Sequence, residues 1–153
     1  MKAFERILVA TDFSAGADAA AEAAAELAHR LKASLDVVTV VDTSAFATLY
    51  GDAVYRTQRI ADIHGEAHNG AQQFADRHFG GLAHVQVYVR DGNTFLELLQ
   101  AAQDLGSDMI IMGTHGRTGL GHLLIGSVAE RVVRKSPCPV LTIKHPEHEF
   151  VMP

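Results

Sequence analysis

Sixteen residues, "MGTHGRTGLGHLLIGS" from Met112 to Ser127, hold five of the chain's 13 glycines, a single cation, Arg117, and two histidines, His115 and His122. Bare backbone in that quantity is costly, because glycine loses more conformational freedom on folding than any other residue. It is kept where the main chain must take positive φ or let something approach closely. Exposed amide N–H groups, an arginine and the Ser127 hydroxyl together suit an anion, phosphate above all. The competing reading is a glycine-rich surface turn with no ligand. Two familiar phosphate motifs fit poorly: the spacing is not GxGxxG, and Gly121 to Ser127 imitates a P-loop without its lysine, which disfavours a fast NTPase.

Few other residues could act on a ligand. Asp12 follows a short apolar run, where a carboxylate either caps the next helix or accepts ribose hydroxyls. Cys138, the chain's one cysteine, lies between two prolines in "SPCPV" and reads as a small buried apolar residue rather than a nucleophile. The pairs His64/His68 and His145/His148 have helix-compatible spacing but no evident acidic or sulfur third ligand, so no metal site is expected. No catalytic residue is assigned. A hydrolase needs a base and a water-positioning group; Asp12, His115 and His122 are the nearby candidates, and no carboxylate pair or nucleophile–base dyad is visible.

The elements that must position these residues alternate along the chain. Ile7 to Ala10, Val37 to Val41 and Met109 to Met112 are continuously apolar, the pattern of parallel strands covered on both faces. Val85, Val87 and Val89 alternate with Gln86 and Tyr88, and Val140 to Ile143 is short; both read as edge strands. Between them lie four helical patterns. "SAGADAAAEAAAELAHRLKAS" has Ser14 as its N-cap, and Ile60, Ile63, Ala67, Ala71 and Phe74 form a stripe that Gly65 and Gly70 should weaken or bend. Phe95, Leu98, Leu99 and Ala102 follow a capping box from Thr94 to Glu97, and Ser127 to Lys135 gathers Arg131, Arg134 and Lys135 in its second half, where they complement the helix dipole.

The order β-α-β-α-β-α-β-α-β with right-handed crossovers implies an α/β fold, an open, doubly wound, five-stranded parallel sheet with helices on both faces. A single domain, 1–145, absorbs these elements and leaves a C-terminal tail, 146–153. An irregular insertion at 43–54 carries Phe46, Leu49 and Tyr50, which either pack into the core or cover a site or partner. The glycine loop joins the carboxyl end of a central strand to a helix N-terminus, where sheets of this class bind ligands, and that position favours the phosphate reading over the idle turn.

Composition narrows the function further. A chain of 153 residues with 48% hydrophobic and 20% charged residues suits one globular domain. The formal net charge of -5 offers no general attraction to polyanions, so nucleic acid is not an expected partner. No uncharged stretch is long enough to span a membrane, and the apolar run before Asp12 is too short for a signal peptide, so a cytoplasmic location is expected.

One spacing does fit: Gly113, two residues, Gly116, nine residues, Gly126 and Ser127. With "ILVATDFS" at the start, "VVTVVD" ending the second strand and "SDMIIMGTHGRTGLGHLLIGSVAERVVRKSPCPVLTIK" closing the chain, it resembles the universal stress protein family in its nucleotide-binding branch. The resemblance covers nearly the whole chain. It implies a Rossmann-like, adenine nucleotide alpha hydrolase-like sheet of order 3-2-1-4-5, with ATP held between the first and fourth strands. It also implies that Asp12 lies by the adenosine and that main chain at Val40 contacts adenine. Met112, Gly113 and Gly116 would follow the ribose and phosphates, Arg117 would reach a phosphate, and Gly126, Ser127 and Val128 would wrap the phosphate tail. Ala10, counted with this site, stands where the family often has proline. Mg2+ would arrive with the nucleotide, bound mainly through phosphate oxygens.

The function so implied is an ATP-binding stress-response or signalling module with slow or no hydrolysis. The alternatives are an ATP-hydrolysing or nucleotidyl-transferring enzyme and a non-binding dimeric scaffold. Gly126→Val is expected to block the nucleotide without unfolding the domain. A homodimer through "CPVLTIK" is also expected, because the sheet order leaves that strand at an edge, with Leu141→Pro as the substitution that removes an edge donor.

Overall fold

An all-parallel sheet needs cover on both faces, and strand β1 (Arg6–Ala10) shows how one run of apolar residues serves both: Ile7 and Val9 enter one core while Leu8 and Ala10 enter the other. The computed structural model describes residues 3–43, 53–116 and 125–145. After β1 come α1 (Ala15–Leu31), β2 (Ser34–Val41), α2 (Ala53–Phe79), β3 (Val85–Asp91), α3 (Thr94–Leu105), β4 (Met109–Gly113), α4 (Ser127–Lys135) and β5 (Val140–Ile143). The strands form one parallel sheet of order β3-β2-β1-β4-β5. The two strands with alternating or short patterns, β3 and β5, are its edges.

One face of the sheet is covered by α1 and α2. Ala17, Ala20, Ala21, Ala24 and Ala28 bring α1 close to Ile7, Val9 and Ile111, with Phe74 and Phe79 of α2 completing the cluster. The other face carries α3 and α4, where Leu98, Ala101, Ala102, Ala129 and Val132 meet Leu8, Val38, Ile110 and Met112. Near the start of β1, Arg6 Nε and Nη2 donate to the buried Asp36 carboxylate at 2.5 and 3.2 Å.

Three local readings need revision. Helix α3 is capped by Asn93, whose side chain accepts from the Leu96 amide, so Thr94 is its first helical residue and not the start of a capping box. Helix α2 is continuous through both Gly65 and Gly70, and what needs revision is the reach of its apolar stripe. Its buried residues begin only at Ala71, leaving Ile60 and Ile63 half-buried. Just before β5, Pro139 O accepts from Ile110 N, and at its end Ile143 O accepts from Thr114 N, so the odd-numbered residues direct their polar groups toward β4. By strand alternation the Leu141 amide is inside the ladder, and Val140 and Thr142 hold the outward donors. Residues 44–52, with Phe46, Leu49 and Tyr50, lie outside the described residues, as do His122, His148 and the tail 146–153.

Candidate functional site

The chain leaves the sheet at the carboxyl ends of β1 and β4, where strand order reverses, and there a cavity of about 290 Å³ opens. That is close to the lower end of the roughly 300–1,000 Å³ of small-molecule pockets. Beyond β1, the Thr11 amide still donates to Val38 O at 3.0 Å. The chain then turns sharply: Asp12 Oδ1 accepts from the Ser14 amide at 3.1 Å and its hydroxyl at 2.5 Å, while Ser14 Oγ accepts from Ala17 N at 3.3 Å. Asp12 is thus tied to the cap of α1 and also lines the cavity.

On the β4 side the backbone approaches are very close. A Cβ on Gly113 would lie 2.9 Å from the carbonyl of Gly16, and one on Gly116 would lie 2.6 Å from Asp12 Oδ2. The Gly126 amide donates to Thr114 O at 2.6 Å, closing the described ends of the loop against each other. Thr114 Oγ1 and His115 Nδ1 are 3.0 Å apart. Gly126 is the N-cap of α4 and supplies no side-chain hydrogen bond, unlike Ser14 before α1 and Asn93 before α3.

Nine of the ten residues singled out from the sequence line this one cavity: Ala10, Asp12, Val40, Met112, Gly113, Gly116, Gly126, Ser127 and Val128. Arg117 lies outside the described residues. The cavity also takes in Thr11, Val38, Thr94, Leu98, Thr114 and His115. A signal existed for two pairs of these. Val38 shares a strand face with Val40 at period two, and Thr94 and Leu98 share a helix face at i, i+4. Val38, Leu98, Met112 and Ala129 make the floor apolar, while Asp12 is the one formally charged side chain among the described lining residues. Thr94 and Ser127 begin α3 and α4, so the positive ends of two helix dipoles meet at the cavity. Among the described residues no group of three or more His, Cys, Asp or Glu is arranged to hold a metal ion, and His64 instead meets Asp91 at 2.5 Å.

A profile of the universal stress protein family matches residues 3–144. The chain belongs to the universal stress protein family. Among its relatives, universal stress protein MJ0531 of Methanocaldococcus jannaschii is 32% identical over 148 residues, 95% of this chain and 85% of the relative. The solved structure of MJ0577, a universal stress protein of the same organism, superposes with a TM-score of 0.80 at 28% identity, covering 94% of this chain and 97% of that one. A universal stress protein solved in complex with cAMP has the same fold, with a TM-score of 0.62 at 23% identity and coverage of 94% and 99%. Among the described residues, no helix of this family member is long and apolar enough to cross a membrane.

Proposed function

We propose that this universal stress protein binds an adenine nucleotide, ATP foremost, in the cavity at the ends of β1 and β4, as a cytoplasmic stress-response or signalling module. The observation that carries the reading is the wall of that cavity: glycine main chain at Gly113, Gly116 and Gly126, the N-terminus of α4 with no side-chain cap, and an apolar floor with Asp12 in the lining. Apolar surface suits a base, and helix amides suit phosphate. A universal stress protein of the same fold was solved in complex with cAMP, which supports the reading. Asp12, the one carboxylate among the described lining residues, suits a Mg2+ held mainly by phosphate oxygens. Arg117, next after Gly116 in the sequence, is the cation we assign to an outer phosphate. The functional protein is proposed to be a homodimer through β5.

The test is mass spectrometry of ligand released from freshly purified protein, followed by calorimetric titration with ATP, AMP and adenosine. A stoichiometric adenine nucleotide, or titration with ATP to one site per chain, supports the proposal. A protein that releases none and titrates with none overturns it. Phosphate release should stay well below the ~10 per second of ordinary enzymes, since binding rather than turnover is the proposed output. A rate in the ordinary range, abolished by Asp12→Ala or His115→Ala, would favour the hydrolase instead.

A further inference from the structure

Phe13 has φ +65°, the left-handed region, where a bulky side chain is a genuine outlier. Such a conformation persists only where the surroundings over-determine it, and outliers of this kind gather at ligand sites. Three contacts hold this one. The Phe13 amide donates to Thr11 Oγ1 at 3.0 Å, its ring meets Phe74 of α2 edge-on at 6.3 Å, and its ring edge faces Gly70 of α2. A Cβ on Gly70 would lie 3.2 and 3.3 Å from two ring carbons, closer than side chains normally pack, whereas one on Gly65 would meet nothing within 4 Å. Gly70 is disfavoured by its own helix and explained by the ring.

We propose that Phe13 is a positioning residue for the nucleotide site: its ring, seated against Gly70, fixes the left-handed turn that directs the Asp12 carboxylate to the cavity. The inference rests on the nucleotide reading above. Residue 13 joins Asp12 to Ser14, and the two hydrogen bonds from Ser14 to Asp12 Oδ1 span it. The two neighbours part company at this turn. Phe13 packs with the α1/α2 core, while Asp12 lines a cavity whose floor belongs to the α3/α4 core. Successive residues of an extended chain face opposite ways in the same manner, so what marks the turn is the left-handed φ at Phe13 and the two Ser14 bonds that span it, and a shift of the ring would carry Asp12 with it toward or away from Gly116.

The experiment is a double-mutant cycle read by calorimetry with ATP and adenosine, on the parent, Phe13→Leu, Asp12→Ala and the double variant. Phe13→Leu should weaken ATP about tenfold, the size of one misplaced hydrogen bond to a charged group, and cost nothing further once Asp12 is alanine. An equal factor in both backgrounds, or parent-like affinity for Phe13→Leu, overturns the proposal. Gly70→Ala guards against a folding artefact: alanine is preferred in a helix, so its melting temperature should hold while affinity falls. Parent affinity in a folded Gly70→Ala protein also counts against the proposal. Amide exchange gives a readout without nucleotide, since Ser14 N–H should exchange faster in Phe13→Leu. If the parent binds neither ATP nor adenosine, the nucleotide reading fails by itself; unchanged Ser14 exchange would then overturn the positioning role too, and faster exchange would sustain it.

Discussion

Gly113 meets Gly16 backbone to backbone, and a Cβ there would lie 2.9 Å from both the carbonyl carbon and oxygen. Neither partner can retreat as a flexible side chain would, so Gly113→Ala should destabilise the domain by about 1–3 kcal/mol, read by urea denaturation. Gly65→Ala is the control: it meets nothing within 4 Å and should gain about 0.5–1 kcal/mol. The same geometry changes what Gly126→Val can test. A Cβ there would lie 3.0 Å from Thr114 O, so the larger valine strains the loop's own closure as well as filling the cavity. The sequence announces a glycine cluster but not which glycines serve a ligand and which serve the chain, because Gly16 is remote in sequence from Gly113. Cys138 was more legible: flanking prolines and no second thiol point to a packed residue, and it does join the α3/α4 core as a half-buried side chain. Burial pushes its thiol up from the ordinary range. The folded state therefore favours the neutral thiol, a contribution present below the unfolded pKa and lost as pH rises through the folded one. Iodoacetamide at mildly alkaline pH should alkylate Cys138 more slowly in the native protein than in urea; equal rates would show an exposed thiolate.

At the scale of elements, strand identity was legible because burial on both faces favours apolar residues at successive positions, and β1, β2 and β4 each contain the run read from the sequence, with the buried Thr39 as the one polar member. Element ends were less so. Asn93 and Thr94 are both capping types, and what selects Asn93 is the turn before it, where Gly92 at φ +131° delivers the chain to α3 one residue earlier than the capping-box pattern implies. Asn93→Ala should therefore cost about 1 kcal/mol of stability in chemical denaturation, with Thr94→Ala nearly neutral. The reverse order would restore the capping box. The stripe on α2 misled in another way. Periodicity identifies a helix face without telling how much of it reaches the sheet, and only Ala71, Phe74, Ala75 and Phe79 are buried.

For the whole molecule, the sheet order turns pattern into position: the alternating and the short strand are edges, and β5 directs Val140 and Thr142 polar groups to a side that no strand among the described residues pairs. Which residues those are could not be read from the sequence, because the side-chain alternation of "CPVLTIK" is the same whichever set of amides faces β4. The hydrogen bonds to Pro139 and Ile143 carbonyls decide it. Leu141→Pro would thus break the ladder within the protein, and Thr142→Pro is the substitution that spares it while removing an outward donor. The proposed homodimer pairs two β5 edges about a two-fold axis, antiparallel and self-complementary, so it closes at two chains. Light scattering at micromolar concentration should give a dimer mass for the parent and a shift toward monomer for Thr142→Pro, with the melting curve retained. Leu141→Pro should lower the melting temperature whether or not a dimer forms, because its amide serves the fold. A monomeric parent, or a dimer indifferent to Thr142→Pro, would remove β5 as the interface and return the edge to solvent.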